Sequence, residues 1–274
     1  MTEGAPLRKM LVGVDTSGDP AAGGAVNYAM RLGAQIVPLA EHIGRPFTLS
    51  FTGARSCTSC GQRVKKFYGQ GLCYPCLRDA PEASECIVRP ELCRAHLGEG
   101  RDPAWEVEHH HQEHDVYLSH TGGVKVGVTR GTQVPVRWID QGAGIAMRIA
   151  RTPYRQLGGA IEVDLKRFFG DRTNWRAMLQ QAITDPSALL EAHAQAREGL
   201  VPELRAYLLE KPEPAFFTYP LPAPLPKVVS VSLEKLPEVT GTLLGVKGQY
   251  LVWADGRVLN VRNHSGFHVE IEPA

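Results

Sequence analysis

Two Cys-x-x-Cys pairs, Cys57/Cys60 and Cys73/Cys76, stand twelve residues apart in a stretch broken by Gly61, Gly69 and Gly71. A two-residue spacer lets both thiolates of one pair turn toward a single ion, and two pairs complete the tetrahedral sulfur cage that structural zinc prefers. A zinc ribbon is therefore expected around residues 57–76, with Cys57, Cys60, Cys73 and Cys76 as ligands of a structural Zn2+. A cage of four thiolates fixes a fold and has no open position for chemistry. The function has to be sought in what lies beside it.

With 274 residues and 43% hydrophobic content, the chain can bury a real core as one large domain or two to three small ones. No apolar run approaches the roughly 20 residues that span a bilayer, and the opening residues Met1 to Met10 lack the apolar stretch of a signal peptide. The expected location is cytoplasmic, with no membrane partner. Six cysteines, four of them in the two pairs, suit a reducing compartment better than a disulfide framework. The net charge is +1, but between 125 and 176 ten basic residues face four acidic ones, a local balance of +6. Such a stretch suits phosphate backbone as a partner, and equally suits a solvated helix face.

The texture of the chain divides it into an N-terminal β segment (1–56), the ribbon with a His/Cys-rich layer (57–114), an α/β domain (115–210), a linker holding six prolines between Pro212 and Pro226 (211–227), and a C-terminal β module (228–274). The fold class expected is α+β. Met10–Val14 and Pro46–Phe51 read as strands, and the C-terminal module is expected to pair with them. In the ribbon, Val64–Tyr68 reads as hairpin strand; Lys65 and Lys66 beside Phe67 and Tyr68 also suit nucleic acid, because rings stack on bases and ammoniums meet phosphates. Helices are expected around Val134–Gln141, from Gln156 to Phe169 with Ile161, Leu165 and Phe168 on one face, from Asn174 to Ile183, and onward from Asp185-Pro186. Residues 77–115 read as an irregular layer. It holds Cys86 and Cys93, then His96, His109, His110, His111 and His114. A second zinc bound by Cys86, Cys93, His110 and His114, with His96 as substitute, is one reading; two buried cysteines beside a solvated histidine cluster is the other.

The hairpin signal Val116–Val128 around Thr121-Gly122-Gly123, followed by Arg137, Glu162 and Asn174 in that order, resembles the GIY-YIG nuclease domain over about residues 115–180. Asp115-Val116-Tyr117 is similar to the family's first tripeptide and Lys125-Val126-Gly127 to its second, with Asp115 in place of a glycine and Lys125 in place of a tyrosine. The resemblance implies a small antiparallel sheet with helices and a divalent-metal-dependent endonuclease. Tyr117 would orient or deprotonate water, Arg137 would stabilise the pentavalent phosphorus, Glu162 would hold one Mg2+ or Mn2+, Lys125 would add a positive contact, and Asn174 would give polar support. These residue types suit the chemistry, since phosphodiester hydrolysis needs an activated water, a cation near the developing charge and a metal on the non-bridging oxygen.

Over nearly its whole length the chain also resembles an uncharacterised prokaryotic domain-of-unknown-function family. The residues that carry this are Gly69–Cys76, Lys125–Arg130, Arg137–Ala143, Thr173–Arg176 and Gly245–Tyr250. That family implies no activity. The leading expectation is a nucleic-acid-binding zinc protein acting as an endonuclease; a noncatalytic RNA- or DNA-binding adaptor and a zinc-stabilised protein-interaction module are the alternatives.

Overall fold

The structure is a computed structural model and describes residues 4–15, 24–222, 225 and 227–273. It is a mixed α+β chain that groups into two compact units, the second formed by residues 79–217 and the first by the described residues on either side of them. The first unit opens with β1 (Ala5–Asp15), β2 (Gly24–Leu32), β3 (Gln35–Pro38) and β4 (Pro46–Arg55), then the cysteine ribbon and the short helix α1 (Tyr74–Asp79). Strand β2 alternates strictly, with Val26, Tyr28, Met30 and Leu32 buried between exposed or half-exposed neighbours, as period-two side chains on a one-sided sheet require.

The second unit starts with four short 3-10 turns between Pro81 and Leu97. Helix α2 (Pro103–His109) follows, started by Asp102, whose carboxylate accepts from the N–H groups of Ala104 and Trp105, and by Pro103 in the first turn. The hairpin β5 (His114–His120) and β6 (Val124–Arg130) comes next, then α3 (Val136–Asp140), β7 (Ile145–Thr152), α4 (Arg155–Leu165), α5 (Trp175–Gln180), α6 (Ser187–Gly199) and β8 (Pro214–Thr218). The strands lie in the order β6-β5-β7-β8, all antiparallel. Val116, Leu118, Val126, Ile145 and Met147 from the strands form one core with Ile161 and Leu165 of α4 and Leu189, Ala192 and Ala196 of α6. Strand alternation then turns Tyr117, Lys125 and Gly127 toward the opposite face, where Trp138 of α3 lies against Tyr117 with ring centroids 6.0 Å apart.

Beyond the second unit the chain returns to the first with β9 (Val229–Ser230), β10 (Glu238–Lys247), β11 (Tyr250–Trp253), β12 (Arg257–Asn260) and β13 (Phe267–Pro273). Strand β13 lies between β1 and β4, and β4 pairs with β10, so the two ends of the chain share one sheet. The register Ala5↔Val269 and Pro6↔His268 places the start of β1 against β13. Among the described residues no helix is long and apolar enough to cross a membrane.

Four local expectations differ from the structure. Val64–Tyr68 forms no strand; the ribbon has the isolated bridges Ser56↔Arg63 and Gly69↔Leu72 in place of a ladder, with the turns of the two Cys-x-x-Cys segments setting the path of the chain. Helix α4 stops at Leu165, so the following turn brings Phe169 inward and leaves Phe168 38% exposed. Helix α5 ends at Gln180, short of Ile183. The proline-rich connection contains β8, tolerated because Pro214 opens the strand, where a missing N–H costs least; Pro224 and Pro226 lie outside the described residues.

Candidate functional site

In the first unit, the sulfurs of Cys57, Cys60, Cys73 and Cys76 all lie within 4.8 Å of one another. Cys60 Sγ and Cys73 Sγ are 3.9 Å apart, close to the roughly 3.8 Å that two sulfurs keep on a tetrahedral zinc with Zn–S near 2.3 Å. The local chain is built for this. Cys73 N donates to Cys57 Sγ at 3.3 Å, Thr58 N donates to Gly71 O at 2.9 Å, and Gly71 takes φ +81° with its α-carbon against Ser265, a place no side chain fits. Burial pushes the Cys57 thiol up, but N–H groups of Cys73, Cys60 and Ser59 outweigh it and hold it down at about 6. Hydrogen bonding with Cys73 pushes Cys76 up to about 12. Four cysteines so placed fit a metal ion such as zinc. The ribbon sits on its own unit through Ser56 N to Gly266 O (2.8 Å), Arg8 Nη1 to Thr58 O (2.6 Å) and the Phe67–Phe267 ring contact at 5.7 Å.

In the second unit the residues expected to do chemistry interact with one another. Tyr117 is 1% exposed and donates to Gln141 Oε1 at 3.1 Å. Burial raises its phenol, while the charge and hydrogen bonding of Arg137 lower it and the charge of Glu162 raises it further. Lys125 donates to Thr173 Oγ1 at 3.2 Å and to Asp171 O at 3.4 Å. Burial brings its amine down to about 8, Arg137 pushes the same way, and Glu162 and Asp171 oppose. Glu162, 8% exposed, is raised by burial and held in check by Lys166, whose Nζ lies 3.9 Å from Glu162 Oε2 and 3.3 Å from Asp171 Oδ2. Tyr117, Lys125, Arg137 and Glu162 thus share one electrostatic neighbourhood. Asn174 does something else: its Oδ1 accepts from Ala177 N at 3.2 Å and caps α5. Gln141 and Asp171 were not expected at this site; Gln141 lies in the Arg137–Ala143 stretch, which was the available signal, and Asp171 reads from the sequence as a candidate cap, with Thr173, of α5, a place that Asn174 takes.

Much of the basic stretch is used internally. Arg151 and Arg148 hold Asp115, which is fully buried, at 3.0 and 3.7 Å. Arg155 donates to the carbonyls of Cys86 and Ile87. Arg172 and Arg176 remain exposed, with Arg176 4.2 Å above the Trp175 ring.

A second group gathers Cys86, Cys93, Glu106 and His110, again with donor atoms within 4.8 Å of one another. Hydrogen bonding from Cys93, then from His110 and Ser84, draws the Cys86 thiol down to about 4 despite burial, and Cys93 moves up in response. His114 was expected as the fourth donor and is not in the group. It opens β5, its side chain is fully buried, and its Nδ1 is bonded to Gln112 O at 2.8 Å. His96, the substitute, stacks on Tyr154 with centroids 4.4 Å apart. Glu106 takes the place because α2 puts residues i and i+4 on one face, and its carboxylate meets His110 Nδ1.

No curated protein and no solved structure matches the chain. A family model described as a protein of unknown function (DUF2797) matches residues 44–269, a span that takes in the ribbon, all of the second unit and most of the C-terminal strands. Since that match covers well over half of the 274 residues, the chain belongs to the DUF2797 family.

Proposed function

We propose that the protein binds nucleic acid and cleaves phosphodiester bonds with a divalent cation, using a GIY-YIG-like site in the second unit while zinc on Cys57, Cys60, Cys73 and Cys76 holds the first unit. The observation that carries this reading is that Arg137 of α3 and Glu162 of α4 both act electrostatically on Tyr117 of β5 and on Lys125 of β6. Their separation in sequence gives no local reason for them to meet.

In this reading Glu162, with Asp171 beside it, would hold Mg2+ or Mn2+; both carboxylates lie within 4 Å of Lys166 Nζ. The donor set fits: hard oxygen ligands few in number suit a cation that keeps several waters. When bound, the metal polarises the phosphate. Arg137 meets the charge that grows on phosphorus oxygens, and Lys125 adds a second cation. Tyr117, kept neutral by burial and fixed by Gln141, orients the water rather than removing its proton at neutral pH. Arg172 and Arg176 supply exposed charge for the backbone.

A noncatalytic RNA- or DNA-binding adaptor is the second reading, and one observation favours it: a phenol only 1% exposed has little access to water. Purified protein incubated with supercoiled plasmid and with single-stranded RNA, with Mg2+ or Mn2+ and against Glu162→Ala, separates the two. Metal-dependent cleavage lost in the variant supports the enzyme; binding without cleavage supports the adaptor; equal cleavage by both proteins marks a contaminant and removes the enzymatic reading.

A further inference from the structure

Residues 79–111 are short of apolar burial. Of these 33 residues only five are buried, Pro90, Cys93, Ala95, Glu106 and His110, and three of the five belong to the second cluster. Val88, Leu97 and Val107 are 57–65% exposed. A layer that cannot bury enough apolar surface needs another source of order, and a metal cross-link is the usual one in small irregular segments.

The geometry points to a second structural zinc held by Cys86, Cys93, Glu106 and His110, one that fastens this layer to α4. Two sulfurs, one nitrogen and one oxygen on a tetrahedral zinc stand about 3.4–3.8 Å from each other. Cys86 Sγ and His110 Nδ1 are 3.8 Å apart and no pair in the group exceeds 4.8 Å; His110 Nδ1 and Glu106 Oε2 are in direct hydrogen-bond contact, closer than two ligands of one zinc, and part when the ion enters between them. A Glu–His pair alone would account for the carboxylate and imidazole. It gives no reason for two thiols, Cys86 in the turn Glu85–Ile87 and Cys93 just past the turn Pro90–Leu92, to converge on the same imidazole. The ligands are preset by the chain: Asp102 caps α2 so that Glu106 and His110 share a face, and the Trp105 ring stands edge-on to His110 at 4.9 Å.

Both halves of the cluster are tied to the first turn of α4. Arg155 N donates to His110 O at 3.0 Å, and the Arg155 guanidinium donates to Cys86 O and Ile87 O. One turn on, Gly159 lies so close to the chain at Pro90 and Glu91 that a β-carbon there would stand 2.2 Å from Glu91 N. The zinc therefore sets where α4 sits, and α4 carries Glu162. The site itself stands whether or not the protein cleaves nucleic acid.

Zinc content of the full chain tests this without reference to activity. Wild type is expected to hold two zinc ions per chain, falling to one in Cys86→Ser and in Glu106→Ala and staying at two in His114→Ala. X-ray absorption at the zinc edge needs no variant: two sites average about three sulfur neighbours and one nitrogen or oxygen, where the ribbon alone gives four sulfurs. One zinc per chain with four sulfurs overturns the proposal, as do two ions retained in Cys86→Ser. Loss of zinc in His114→Ala alone would reassign the fourth ligand and overturn the role given to Glu106.

Discussion

The Tyr117 phenol fills the space left by the missing side chain of Gly127. The two residues face each other across β5 and β6, and a β-carbon on Gly127 would stand 2.6 Å from Tyr117 Oη and 2.7 Å from Cζ. The tyrosine is thus laid flat over its neighbour strand, toward Gln141 and Arg137. Gly127→Ala is expected to destabilise the protein by about 1–3 kcal/mol, since overpacking a buried contact forces the ring or the strand to move. Denaturant unfolding checks it, and the loss should shrink in a Tyr117→Leu background. Penalties that simply add would show that the two residues do not collide.

Arg137→Ala and Glu162→Ala are each expected to reduce metal-dependent cleavage by about 10²-fold or more, the usual cost of removing a group that meets charge in the transition state. Initial rates on plasmid at fixed Mg2+ measure this. A variant that retains the wild-type rate would exclude that residue from the reaction.

Nucleic-acid affinity should fall steeply with salt, and Arg172→Ala and Arg176→Ala should each flatten the slope of log K against log salt by about 0.9 on duplex DNA, one released counterion per lost contact. Fluorescence anisotropy between low and moderate salt reads the slope. Unchanged slopes in both variants would place the phosphate path elsewhere.

Removing the ribbon metal should loosen the first unit. Cys57→Ser, or chelation of the wild type, is expected to lower Tm by about 5 °C or more, because a structural zinc contributes directly to folding free energy. Calorimetry with zinc content measured on the same sample decides it. A metal-free chain with the wild-type Tm would show that the four thiols are dispensable.

Lys247 ends β10, 7% exposed, with its ammonium 5.4 Å from the centre of the Tyr219 ring. Burial lowers its amine from 10.5 to about 8. Below pH 8 the amine is charged in both folded and unfolded chains, and its burial costs the folded state about 1–3 kcal/mol. As pH rises from 8 toward 10.5 the folded chain sheds that proton before the unfolded one does, so this group's contribution to stability rises with pH. Lys247→Met should be more stable at pH 7 and should lack that rise. Urea unfolding at pH 7 and pH 9.5 compares them, and an identical pH dependence in the two proteins would rule out the lysine as its source.

The cysteine spacing alone determined the ribbon, because two residues between thiols are a local geometric constraint that no distant contact has to supply. Strand alternation and turn glycines marked the β5–β6 hairpin, and Asp185-Pro186 marked the start of α6, for the same reason: each is settled within a few residues. The fourth member of the second cluster was not legible. His114 and Glu106 are both near enough in sequence, and only the buried start of β5 and the i, i+4 face of α2 decide between them. Nor could the sequence tell that Arg148 and Arg151 pair with Asp115 and that Arg155 binds backbone carbonyls, since a count of charges carries no direction. Strand pattern led to the expectation that the C-terminal module pairs with the N-terminal strands, but the register Ala5↔Val269, and the influence of Arg137 and Glu162 on Tyr117, are decided by tertiary structure alone, because they join segments that nothing short of the whole packed chain brings together.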